Sequence, residues 1–244
     1  MMTVKPFSLM ACLLAGSLAW AAPAARAAGL QVSPVSLFLP ASQQAAVLTL
    51  TNTGGEPLTA QVRVFRWTQN EQGQDVYTPD SGVVASPPML RMAAGAEQQL
   101  RLIRTGAPSA EEAAYRIVID ELPPPQHTPR AGLNFVLRYS LPLFLNQSEN
   151  PPARLHWQWR AVGGKTELSA RNTGASYAQL GRIALTAADG KETRPLADGL
   201  TGYVLPGSTW RRVFDVSPAQ VRQGGLSVKV NDRIEQPEVG FAAP

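Results

Sequence analysis

The chain has 244 residues, a formal net charge of +4 and one cysteine, Cys12. So slight a charge, carried by scattered rather than clustered basic residues, gives no footing for nucleic-acid binding as the default function. With 21 prolines, 20 glycines and many β-branched residues, the composition points to an all-β protein with many turns.

Residues 1–27 read as an export signal: Lys5, an apolar run from Phe7 to about Ala22, then Ala25-Arg26-Ala27, which fits a small-x-small cleavage rule. The Leu9-Met10-Ala11-Cys12 stretch faintly resembles a lipoprotein box but leaves too little apolar sequence before the cut. The expected mature chain starts near Ala28 and keeps a net charge of +2 once Lys5 and Arg26 are gone. It has no thiol for a disulfide, nucleophile or soft-metal site, because Cys12 leaves with the signal. The apolar run is short for a spanning helix, so the mature protein is expected not to be membrane-embedded.

Alternating segments bounded by turn signals follow in order. In the first half they predict strands at Leu30–Leu39, Ala46–Asn52, Leu58–Thr68, Met89–Met92, Gln98–Arg104, Tyr115–Glu121 and Leu133–Leu145. The second half repeats the opening of the first: VLTLTNTGGEPLTAQVRV from Val47 and ELSARNTGASYAQLGRIAL from Glu167 both run from strand to strand through Asn-Thr-Gly. Asn52 and Asn172 lie 120 residues apart, and a later pair of turns at Gly95 and Gly207 lies 112 apart. Two echoes in the same order favour tandem β-sandwich domains, expected at 28–146 and 147–244 and joined by the polar elbow NQSENPP from Asn146. Short helical turns are expected at Ser109–Ala114, where Ser109 and Glu112 have capping-box spacing, and at Pro218–Gln223.

The strand at Leu133–Leu145 stands out. Leu133, Phe135, Leu137, Tyr139, Leu141 and Leu143 share one face, while Asn134, Val136, Arg138, Ser140, Pro142 and Phe144 share the other. A single core needs one apolar face, so the apolar part of the second must be covered by something else. The strand follows the proline-rich loop PPPQHTPRAG from Pro123, which could carry it beyond its own sheet. There it could add to a foreign sheet, with backbone bonds giving affinity and alternate side chains filling pockets. Three such side chains, at ~1.5 to ~3 kcal/mol each, amount to roughly 5 to roughly 9 kcal/mol before ordering costs.

Catalytic residues are not apparent. His127 and His156 have no ligand spacing around them, no GxSxG elbow or glycine loop opens a helix, and Asp120 and Glu121 point to opposite faces of a strand. No cofactor, metal or small-molecule substrate is expected. Glu121 and Asp232 end apolar strands and are candidates for a polar lock between the domains. Trp67, Trp157, Trp159 and Trp210 could make a sugar-binding platform, although Trp157 and Trp159 share one strand face and read more readily as core.

The order of YRIVIDELPP from Tyr115, the proline loop, RYSLPLF from Arg138 and KVNDRIE from Lys229, all behind a signal peptide, resembles the periplasmic chaperones of chaperone-usher pili. QVRVFRWTQ from Gln61 and RYSLPLF look most like the archaic branch. The resemblance implies two immunoglobulin-like domains and a non-enzymatic periplasmic protein whose partners are pilus subunits and an outer-membrane usher. It further implies that Leu133, Phe135 and Leu137, continued by Tyr139 and Leu141, are donor residues lent to a subunit lacking a strand. One face would then pack at home and the other would serve elsewhere.

Better-known members bind the subunit's terminal carboxylate with an arginine on the first strand and a lysine on the donor strand. Those positions fall here at Ser36 and at Ser140 or Pro142, so Arg91, Arg104, Arg116 and Arg138 become the candidate anchors. Arg138 is expected to face the home domain. The family's lock arginine falls at Phe144 or Asn146. A structural or adhesive tandem sandwich, with the apolar strand merely core, is the alternative.

Overall fold

In Ala45–Asn52 and Glu97–Arg104, Leu48, Leu50, Leu100 and Leu102 are fully buried, while Val47, Glu97 and Arg101 between them face outward. This period of two makes each strand half of a sandwich wall. A computed structural model describes residues 29–123, 136–146, 152–187 and 189–242.

The first half comprises β1 (Leu30–Ser33), β2 (Leu37–Leu39), β3 (Ala45–Asn52), β4 (Leu58–Gln69), β5 (Asp75–Pro79), β6 (Val83–Ser86), β7 (Met89–Met92), β8 (Glu97–Arg104), β9 (Ala113–Leu122) and β10 (Arg138–Leu145). One sheet runs β1-β3-β8-β6; the other runs β2-β10-β9-β4-β5, with β7 beside β4. Their inner faces meet in a core that includes Leu50, Leu102, Ile117, Ile119, Leu141 and Leu143.

The second half comprises β11 (Leu155–Val162), β12 (Lys165–Asn172), β13 (Ala178–Thr186), β14 (Glu192–Ala197), β15 (Gly202–Val204), β16 (Thr209–Phe214), α1 (Pro218–Arg222), β17 (Gly225–Val230), β18 (Arg233–Glu235) and β19 (Val239–Phe241). Sheets β16-β12-β11-β19 and β14-β13-β17-β18, with β15 beside β13, enclose a separate core around Trp157, Trp159, Leu168 and Val228. The fold is all-β, two tandem immunoglobulin-like sandwiches. Among the described residues no helix is long and apolar enough to cross a membrane.

The repeated Asn-Thr-Gly has the same job in both halves. Asn52 and Asn172 are buried, and each accepts from the amide two residues on, Gly54 at 3.0 Å and Gly174 at 2.9 Å. Their Nδ2 groups donate to main-chain oxygens of neighbouring loops, Glu56 and Ala93 for Asn52, Ser176 and Val204 for Asn172. Gly95 and Gly207 donate their amides to the carbonyls of these same asparagines. A buried amide of fixed shape thus ties two turns in each sandwich.

Several local expectations change. Leu30–Leu39 is not one strand: β1 pairs with β3 in one sheet and β2 with β10 in the other, the chain crossing between them at Pro34–Ser36. Strands β5 and β6 lay in sequence with too little apolar alternation to be recognised. Ser109–Ala114 forms no helix; Ser109 Oγ accepts from Glu111 in a bend, and Glu112 is used elsewhere. The expected turn at Pro218 is helical, with Ser217 and Gln220 forming a capping box.

Candidate functional site

Strand β10 pairs along its whole length with β9, from Arg138 opposite Asp120 to Leu145 opposite Ala113. On its other side β2 covers only Leu143–Leu145, in parallel. Arg138–Pro142 therefore presents a free backbone edge among the described residues, where a foreign strand could add.

The apolar row is divided along the strand rather than across it. Leu143 and Leu141 are buried in the home core, and Tyr139 packs half-buried against it with its hydroxyl donating to the Leu30 carbonyl. Leu137, 38% exposed, is the first of the row to leave that core, and Val136 beside it is 51% exposed. Leu133 and Phe135 lie outside the described residues. Among the described residues the two faces are not divided as expected: Leu141 and Leu143, on the face of Leu137, pack in the home core, and the opposite face is covered at Phe144 by the second sandwich.

Arg138 belongs to the outer face, not to the home core as expected. Its side chain is 68% exposed and pairs with Asp120, which also holds Arg63 at 2.6 Å. Burial alone would raise the Asp120 carboxyl, but hydrogen bonds from Arg138 and Arg63 outweigh it and hold the group below its ordinary value.

The other candidate arginines separate clearly. Arg104 is buried and donates to Asn146 Oδ1 at 2.6 Å and to the carbonyls of Leu39 and Pro40, so it clamps the end of β2 to the end of β10. Arg91, on β7, is exposed opposite Thr59 and, through β4, in line with Leu122. Arg116 is 9% exposed and sits on β9 directly across from Pro142. Its guanidinium lies 3.8 Å from the Trp67 ring centroid and 5.2 Å from that of Tyr203. Its ion pair with Asp75 is long, 3.9 Å, and its buried Nε has no hydrogen-bond partner. A cleft of about 400 Å³ opens beside it, bounded by Asp75 and Gln69 from the first sandwich and Leu200, Thr201, Tyr203 and Trp210 from the second.

The outer face of β10 ends at Phe144, fully buried against the second sandwich. It stacks on Tyr177 at 3.6 Å and 3°, and Phe38, Trp67 and Tyr203 complete the cluster. This is the cover that the apolar second face required. Gln69 reinforces it by donating to the Tyr203 carbonyl at 2.9 Å and accepting from the Leu205 amide at 3.0 Å. Glu112 accepts from the Tyr177 amide at 2.8 Å. At the tip between β4 and β5, Gly73 (φ +77°) approaches the second sandwich so closely that a Cβ would collide with the Thr209 carbonyl.

Glu121 and Asp232 are not brought together. Glu121 lies at the end of β9 remote from Ala114, where its carboxylate and amide meet the backbone of Leu137. Asp232, in the turn after β17, pairs with Lys229 of its own sandwich at 2.9 Å. The junction is held by aromatic stacking and amide clamps instead. Nothing in local sequence marks Gln69, Tyr177 or Tyr203 for this junction, and the capping-box spacing of Glu112 pointed to a helix instead, because the hydrogen bonds that join the sandwiches link residues more than sixty apart. Only the parity of Phe144 gave a signal. The tryptophans Trp67, Trp157, Trp159 and Trp210 are all buried, which leaves no exposed sugar platform among them. Among the described residues no group of His, Cys, Asp and Glu could hold a metal ion.

Residues 29–149 match the family described as pili and flagellar-assembly chaperone, PapD N-terminal domain. The fold is similar to that in a complex of the chaperone CsuC with the tip adhesion subunit CsuE from archaic Csu pili of Acinetobacter baumannii, at TM-score 0.70 and 27% identity over 88% of this chain and 100% of the other. The chain belongs to the PapD-like pilus-assembly chaperones. The Pseudomonas aeruginosa CupB2 chaperone shares the fold at TM-score 0.57 and 21% identity, over 86% of this chain and 100% of the other. So does a complex of the Salmonella enterica SafB chaperone with SafA pilin, at TM-score 0.58 and 20% identity, over 88% and 96%. Among curated proteins none matches the sequence significantly. As a member of this family the chaperone is not an enzyme. It has no cation at Ser36, Ser140 or Pro142; the basic group facing the cleft is one strand over, at Arg116.

Proposed function

We propose that this chaperone acts in the periplasm, reached through a cleaved signal peptide, where it stabilises pilus subunits by donating the segment that leads into β10, with the side chains of Leu133, Phe135 and Leu137, and delivers them to an outer-membrane usher. The observation carrying this reading is the edge at Arg138–Pro142, free among the described residues and continuous with an apolar row that leaves the home core at Leu137. Leu133, Phe135 and Leu137 fill a subunit's groove, while Tyr139 and Leu141 keep the strand seated on its own sandwich. The likeness to CsuC supports membership of the archaic branch.

Of the four candidate arginines, Arg116 is the best carboxylate anchor. Arg104 spends both terminal nitrogens on Asn146 and the Leu39 and Pro40 carbonyls, leaving only its buried Nε without a partner, Arg138 is exposed and paired, and Arg91 is about 20 Å along the sheet. Arg116 is buried at the cleft, stacked, and under-supplied with acceptors. A terminal carboxylate there would set the register, since a one-residue slip turns every donor side chain away from the groove. The test is Arg116→Met, which keeps an apolar stem on Trp67 and removes the charge. Loss of a charge-assisted hydrogen bond worth roughly 1.5 to 3 kcal/mol should sharply lower recovery of a co-expressed subunit, with the melting temperature of the free chaperone within a few degrees. Full recovery would exclude Arg116 as the anchor.

A further inference from the structure

Asp75 is the one carboxylate within ion-pairing distance of Arg116 among the described residues, and its setting is unusual. Its oxygens are already taken: Oδ1 accepts from Gln69 Nε2 at 3.0 Å and Oδ2 from the Tyr77 hydroxyl at 2.9 Å. Neither is close enough to Arg116 for a hydrogen bond, for the nearest approach is 3.9 Å. Asp75 therefore compensates the buried charge without supplying the bidentate contact that a guanidinium is shaped to make. The side chain of Asp75 is 34% exposed and that of Arg116 11%, so the aspartate stands on the open side of the cation, where a ligand would enter the cleft.

We propose that Asp75 is an internal placeholder at the Arg116 site: it balances the guanidinium while the chaperone is empty and competes with the carboxylate of an incoming subunit. The proposal depends on the reading of Arg116 as the anchor. A buried arginine with no counter-charge would weaken the empty chaperone. A counter-ion bonded at full strength would close the site. The long contact lies between these extremes, and Gln69 and Tyr77 keep the aspartate from closing the last ångström. Gln69 also clamps Tyr203 and Leu205, so the placeholder is tied to the junction of the two sandwiches. The incoming anion must tolerate or displace a like charge, which raises the selectivity of the site for carboxylates delivered by an otherwise well-fitting strand.

Asp75→Asn retains shape and can still meet Gln69 and Tyr77, while removing the charge; Asp75→Ser gives the same test if the first variant does not fold. N-acetylphenylalanine, with a free carboxylate, and its amide serve as probes, titrated into the intact mature chaperone and followed through the N–H signals of the Trp67 indole and Arg116 Nε. The free acid should bind Asp75→Asn about fivefold more tightly than wild type, should not bind Arg116→Met, and the amide should bind none of them. Equal or weaker binding by Asp75→Asn, with wild type binding the acid, overturns the placeholder and leaves the anchor standing. Failure of both wild type and Asp75→Asn to bind the acid overturns the anchor itself, and the placeholder with it.

Discussion

Leu137 and Leu141 point the same way on one strand, yet aspartate at the two sites should have opposite consequences. Leu137 is 38% exposed and outside the home core, whereas Leu141 is 6% exposed and inside it. Leu137→Asp should therefore change the stability of the free chaperone by about 0.5 kcal/mol or less, the range for surface sites. In a complex the same change forfeits roughly 1.5 to 3 kcal/mol of apolar burial and adds the cost of an unpaired carboxylate in the subunit's groove. A total of at least about 3 kcal/mol corresponds to roughly a hundredfold loss of affinity. Leu141→Asp places that charge in the home core, at a cost of several kcal/mol against a total stability of about 5 to 15 kcal/mol, and should leave little folded protein. Thermal melting of each purified variant, followed by recovery of a co-expressed tagged subunit, separates the two effects. Leu137→Asn is the companion, because Glu121 lies next to this backbone and could repel a new aspartate. Normal subunit recovery with both Leu137 variants, or a wild-type melt for Leu141→Asp, would refute the division of the strand into a lent half and a seated half.

Phe144→Ala should cost about 3 to 5 kcal/mol, as large-to-small changes at fully buried aromatics do, and the damage should concentrate at the junction because each sandwich keeps its own core. Spin-label distances between β4 and β13 should broaden; an unchanged narrow distribution would show that the aromatic stack does not hold the angle. Burial raises Glu112 from 4.5 to about 7, against the opposing pull of the Tyr177 amide, and one of its oxygens is buried without a partner. A carboxyl raised on folding favours the folded state most below its unfolded pKa, and that contribution is lost as pH rises through about 7. Glu112→Gln should hence melt above wild type at pH 8, with the gap shrinking towards pH 5; parallel melting curves across that window would remove Glu112 as the cause.

Fold class, tandem repetition and the role of Asn52 and Asn172 were legible in the chain because they depend on local period and turn chemistry. The apolar row from Leu133 to Leu143 and the need to cover Phe144 followed from parity alone, which a strand imposes whatever lies beside it. Parity could not say where along the row the home core ends, or that Arg138 faces away from it, since that depends on which side the opposing sheet occupies. Nor could it choose among Arg91, Arg104, Arg116 and Arg138, four residues of identical chemistry. Arg104 meets Asn146 and two main-chain oxygens, Arg138 meets Asp120, and Arg116 meets ring faces, the Tyr77 side chain and a distant Asp75. The expected lock at Glu121 and Asp232 failed for the same reason: each carboxylate found a partner within its own sandwich. The chain by itself determined which faces are apolar and where the charges are; only the packing of two sandwiches against each other decided which charge was left underpaired, because burial and partner distance are properties of residues far apart in sequence.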